Sequence, residues 1–250
     1  MLVPICLLVC VSLCVSSCGG KKTGNSAAVV VTSSWTAAYA WAAGAENVEI
    51  LAPFEMAHPS EYELRPGDIP TLTNAQIVVY AGYEAMSGRL KKGLGLPPEK
   101  LLLIETDYSY ESMEKSVMKI AARLGTEQLA RENLHDIHRL LDEGRKSIDA
   151  KQMTGLPVVV HRFQASFARE LGFIPVVLFG PASPEAREIN TVSKSDAFFI
   201  MDNMHNPVGQ PFKEVLPGAR YTQLLNFPGQ KGTKTLADVI RYNLSQLIDF

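Results

Sequence analysis

Three histidines of this 250-residue chain, His58, His161 and His205, each follow a short apolar segment, as do the carboxylates Glu105, Asp107 and Asp202 and the amide Asn226. Neutral imidazole nitrogen and carboxylate oxygen are the donors that hold zinc, manganese and related divalent ions, so several of them meeting at one point would form a metal site. Each also has a plainer use. A strand-end histidine can serve a local hydrogen bond, Asp202 in "MDNMHNP" suits an Asx turn, and Asn226 before "FPG" suits a turn. His135 and His138 fall on a charged stretch and read as solvated helix positions, while Trp35, Tyr39 and Trp41 read as core aromatics in preference to pocket walls.

The elements that must position these residues follow from pattern. "AVVVTS" (28–33) is a β-branched run, and "SWTAAYAWAAGAE" after it reads as an Ala-rich helix stopped near Gly44. Further apolar strands are predicted at 48–53, 75–82, 100–107, 156–161, 174–180, 196–202 and 219–227, with a short helix around Ile69 to Thr73 and a closing helix in "TLADVIRYNLSQLID". From Ser112 to about Lys151 the apolar residues keep helical spacing throughout, with a possible break at Gly125. Strands alternating with helices specify parallel sheets joined by crossovers, here two similar α/β halves linked by a long helix. In such sheets ligands sit beyond the carboxyl ends of the strands, where the polar residues above fall.

Bulk composition excludes several classes. Charged residues make up 20%, hydrophobic ones 46%, and the formal net charge is −2, so neither disorder nor a nucleic-acid groove is indicated. The four cysteines, Cys6, Cys10, Cys14 and Cys18, all lie in or beside "MLVPICLLVCVSLCVSSCGGKK", leaving none for a disulfide framework. Its apolar run is short for a transmembrane helix and reads as the hydrophobic region of an export signal. Val15-Ser16-Ser17-Cys18 resembles a bacterial lipobox, which makes Cys18 the expected lipidation site, 1–17 the signal peptide and 18–27 a flexible tether. The body then divides into an N-terminal lobe (28–111), a linking helical segment (112–152) and a C-terminal lobe (153–250).

Enzyme signatures are missing: there is no G-x-S-x-G elbow, Walker loop, G-x-G-x-x-G, HExxH or C-x-x-C. "GLGLPPEK" (93–100) precedes a strand where a phosphate loop would have to follow one.

Three stretches carry a resemblance. "YELRPGDIPTLTNAQIVVYAGYEAM" (62–86), "VVVHRFQASFARELGF" (158–173) and "TLADVIRYNLSQL" (235–247) are similar to segments of the metal-binding, cluster A-I substrate-binding lipoproteins of bacterial ABC transporters. The resemblance implies a bilobal α/β fold with a helical spine, and a four-ligand zinc or manganese site of histidines and a carboxylate. Carried over singly, His161 matches the third ligand and His58 resembles the first, though strict spacing would choose Ser60. The second histidine is replaced by Glu105 in an ungapped count, and the final aspartate by Asn226. Asp202 and His205 offer compensation, so the expected site is His58, His161 and His205 with a carboxylate from Asp202 or Glu105.

The function thus expected is that of an extracytoplasmic, lipid-anchored protein, not an enzyme. It would capture a divalent metal cargo, zinc or manganese, for an ABC permease and its ATPase, acting as a monomer without nucleic acid. The alternatives are the same scaffold binding a metal chelate or small organic ligand, an adhesin-like lipoprotein with a vestigial site, and, most remotely, a metal-dependent hydrolase.

Overall fold

The computed structural model describes residues 29–249; the expected export signal, lipidation site Cys18 and tether lie outside them. The N-terminal lobe begins with β1 (Val29–Val31), and α1 (Ser34–Ala42) follows at once. A reciprocal cap at Ser33 starts α1: its hydroxyl accepts from the Thr36 N–H and its own N–H donates to the Thr36 hydroxyl at 3.0 Å. Next come β2 (Val48–Ile50), α2 (Asp68–Asn74), β3 (Ile77–Tyr80), α3 (Ser87–Lys92) and β4 (Leu101–Leu103). Two helices lead out of this lobe, α4 (Tyr110–Leu124) and α5 (Glu127–Ala150). Beyond them lie β5 (Pro157–His161), α6 (Ala165–Glu170), β6 (Ile174–Phe179), α7 (Ala186–Val192), β7 (Phe199–Asn203), α8 (Phe212–Val215), β8 (Arg220–Leu224) and α9 (Leu236–Ile248).

The strands form two four-stranded, wholly parallel sheets, in the orders β2-β1-β3-β4 and β6-β5-β7-β8. Each lobe therefore repeats one topology, as the alternation of elements predicts. The strands are shorter than their apolar runs. In particular, β4 stops at Leu103, so Glu105 and Asp107 stand in irregular chain beyond it.

The predicted long helix is two helices. Gly125 takes a left-handed conformation (φ +73°), and its N–H closes the last turn of α4 on the Ala121 carbonyl at 2.8 Å. A residue with a side chain adopts this φ at a cost, which is why the break falls at this glycine. α5 is the spine proper. Its buried residues Ala130, Leu134, Ile137, Leu141, Gly144 and Ile148 recur at alternating steps of four and three, forming one apolar stripe.

Strand alternation decides which core each residue joins. Val29, Val31, Ile77 and Val79 of the first sheet and Val158, Val160, Phe199 and Met201 of the second face a single core shared with α1, α4, α5, α6 and α9. The opposite faces are covered separately. Val30 and Val78 pack on Leu72, Met86 and Leu90, and Val159 and Ile200 pack on Phe179, Val192 and Phe212. Because the helical layer belongs to both lobes, the carboxyl edges of the two sheets open onto one cleft.

Candidate ligand cleft

Between the lobes lies a cavity of about 750 Å³. Nearly every strand contributes a residue two to four positions past its end: Ser33 after β1, Glu84 after β3, Thr106 after β4, Phe163 after β5, Pro181 after β6, His205 after β7 and Asn226 after β8. His58 enters from the loop after β2 and lies exposed at the rim. Three expected ligands thus reach the cleft: His58, His205 and Asn226.

The other three do not. His161 ends β5 on the same face as Val159, so the pleat turns its ring into the third core. There it is fully buried and packs on Phe163 and Phe179, at 5.0 and 5.5 Å between ring centres. Its Nδ1 accepts the Phe163 N–H at 3.2 Å, and its Nε2 has no partner. That nitrogen lies so close over Gly180 that a Cβ there would stand 2.3 Å from it. Burial pushes the His161 pKa down to about 4, against the pull of Asp202 and with the help of Arg162.

Asp202 shares the face of Ile200 and is equally buried. Its Oδ2 accepts from the Gly209 N–H and the Tyr221 hydroxyl, both at 2.7 Å, and its Oδ1 from the Asn203 N–H at 2.8 Å. The carboxylate closes the 203–209 loop, so the plainer Asx-turn reading describes it. Glu105 belongs to a separate pocket of about 360 Å³ with Asp107 and Ser112. Its side chain is 67% exposed and pairs loosely with Lys115 at 3.5 Å. Among the described residues, no three His, Cys, Asp or Glu side chains are arranged to hold a metal ion. The single sphere expected from His58, His161, His205 and Asp202 or Glu105 is not what the fold assembles, because strand parity sends His161 and Asp202 into the core.

What borders the cleft instead is a group of residues that each hold a buried polar atom without a partner. His205 is 7% exposed and stacks on Phe227 at 3.7 Å between ring centres. Its Nδ1 accepts the Asn226 N–H at 3.3 Å, leaving Nε2 unpartnered. Burial lowers its pKa to about 4, and the nearby His58 pushes the same way, so the ring is neutral at physiological pH. Trp35, 8% exposed, lies between Tyr108 and Phe227 at 5.8 and 6.2 Å, with its Nε1–H unpaired. Asn226, 6% exposed, has an unpaired Oδ1.

Two contributors, Asn243 and Glu84, were not singled out in the sequence, and a third, Trp35, was read there as core. Asn243, on the buried face of α9, grips the Leu225 N–H and carbonyl at 2.7 and 2.9 Å and so fixes the segment bearing Asn226. A polar residue inside an apolar helix stripe was the available signal. Glu84, two residues beyond Gly82, accepts four hydrogen bonds, from Thr32, Ala81, Gly82 and Ser87, at 2.6–3.0 Å. It met the same strand-end criterion as the other candidates. Trp35 reads from sequence as core; it is that, and the residue also borders the cleft.

Comparison with protein-family profiles and with curated protein sequences finds no match. Solved structures do match in fold. The solute-binding protein FpvC of P. aeruginosa, in complex with Ni2+, superposes with a TM-score of 0.68 at 16% identity, over 89% of this chain and 96% of that one. A Mn-bound periplasmic metal-binding protein of Candidatus Liberibacter asiaticus gives 0.65 at 17%, and the laminin-binding protein Lbp of Streptococcus pyogenes 0.64 at 17%, each over 89% of this chain and 98% of its own. The chain therefore shares its two-lobed α/β fold with these proteins.

Proposed function

We propose that this chain is an extracytoplasmic solute-binding protein, anchored through a lipid on Cys18, that captures a divalent metal cargo between its lobes and delivers it to an ABC permease and its ATPase. One observation carries the reading: the two sheets direct their carboxyl ends into a single cavity, where His58, His205 and Asn226 present donor-bearing side chains. That cavity lies in a fold shared with proteins solved with nickel, manganese or cadmium. Imidazole, amide and carboxylate donors suit zinc or manganese. Of the three, His58 at the exposed rim is best placed to meet a metal.

Elemental analysis of the protein isolated from the cells that make it, without added metal, tests the reading. About one equivalent of zinc or manganese per chain is expected; a metal-free protein would refute it.

A further inference from the structure

We propose that Glu61 joins His58 in holding the cargo at the mouth of the cleft, as a divalent ion that keeps most of its water. This rests on the metal-delivery reading above and names the residues and the form in which the ion is held.

Among the residues lining the cleft, His58, Glu61, Glu84 and His205 carry the imidazole or carboxylate donors that divalent ions take. Two of these are committed elsewhere. Glu84 is 3% exposed and accepts hydrogen bonds from Thr32, Ala81, Gly82 and Ser87, so its lone pairs serve its own lobe. His205 is buried and stacked on Phe227. His58 and Glu61 are the reverse case. Both are exposed, and neither side chain has a hydrogen-bond or ion-pair partner among the described residues.

Local geometry brings the two together. Pro59, with its fixed φ, starts a single 3-10 turn over Pro59–Glu61, and the Glu61 N–H closes that turn on the His58 carbonyl at 3.0 Å. A four-residue turn closed in this way holds its first and last Cα atoms within about 7 Å, so one ion can reach both side chains. The turn is itself held in place: the Ala85 N–H donates to the Ser60 carbonyl at 2.8 Å, and Tyr62 is buried with Leu64 and Leu72 in the second core. His58 also lies near enough to His205, on the other lobe, to act on its charge, which sets this turn against the cleft.

The donor count fixes the rest of the coordination sphere. Among the described residues no third His, Cys, Asp or Glu is placed to join the pair, so water fills the remaining positions. The cavity has room for that, since about 750 Å³ is available and a water takes about 30 Å³. One imidazole, one carboxylate and several waters suit manganese, whereas a closed tetrahedral zinc site takes four protein donors. No Lys or Arg among the described residues lines the cavity to repel a cation.

Mn2+ alone, titrated into the full chain and followed by electron paramagnetic resonance, tests this. The bound ion should show one imidazole nitrogen and several exchangeable waters, and the nitrogen signal should vanish in His58→Ala. Glu61→Gln should weaken Mn2+ binding about tenfold or more, the lower end of what losing even a supporting contact costs a metal site. Glu63→Gln removes the same charge from an exposed position off the cavity wall and should leave the affinity within about twofold, because screening by salt weakens a distant charge. Both variants should melt at the native temperature without metal, as surface substitutions do. Native affinity in Glu61→Gln, or a bound ion with three nitrogens and no water, overturns the inference and leaves the metal-delivery function standing. Refusal of Mn2+ by a chain that binds Zn2+ does the same. A chain that takes up neither ion overturns both.

Discussion

His161 and His205 each spend a ring lone pair on a backbone N–H and bury the opposite nitrogen, and that has a consequence for stability. Both pKa values fall from the ordinary 6.5 to about 4, chiefly because burial disfavours the imidazolium. Between those values the unfolded chain binds protons that the folded chain does not. Stability is therefore undiminished above pH 6.5 and declines as the pH drops towards 4. A shift of this size corresponds to about 3 kcal/mol per ring. Calorimetric melting temperatures should fall steadily between pH 6.5 and 4.5, and His161→Asn should remove roughly half of the slope. A flat profile across that interval would show that the rings are not buried as described.

α5 and α9 approach each other through Gly144, where an added Cβ would stand 2.6 Å from Leu244 Cδ2 and 3.0 Å from Cδ1. Those atoms end a flexible side chain that can rotate away from one methyl. Gly144→Ala also gains about 1 kcal/mol of helix propensity, so urea denaturation should find it within about 1 kcal/mol of the native chain. Gly144→Leu has no such outlet and overpacks the seam, with an expected loss of about 1–3 kcal/mol. Equal effects from the two variants would mean that the helices are not in close contact there. The periodicity of α5 was legible because steps of four and three leave one stripe in any context. The closeness of α9 was not, since Gly144 reads in sequence only as a weak helix former.

At the scale of the molecule, the lobes share a core and several direct ties. Ser34 Oγ donates to the Pro228 carbonyl at 2.8 Å, and Glu170 accepts from Arg145 at 2.6 Å and from the Tyr110 N–H at 3.0 Å. Gly229, at φ +121°, lets the Phe54 carbonyl approach to where a Cβ would stand 2.4 Å from it. A hinge crossed by this many contacts permits small closure. Small-angle scattering should give the same radius of gyration with and without cargo for the native chain. Gly229→Ala, strained in φ and opposed by rigid backbone, should expand it and lower the melting temperature; a large contraction of the native chain on loading would contradict the shared-core account.

The sequence by itself determined the paired parallel sheets, the helical linker with its break and the gathering of polar residues at strand ends, because apolar periodicity and glycine placement are local and survive any packing. It could not determine which of those polar residues look into the cleft. A strand places successive side chains on opposite faces, so one residue of parity sends His161 and Asp202 into the core with Val159 and Ile200. The tertiary structure decided that, and it also decided that Trp35, His205 and Asn226, distant in the chain, would border one cavity while each keeps a buried polar atom unpaired, since hydrogen-bond pairing is settled only when separate elements close on one another.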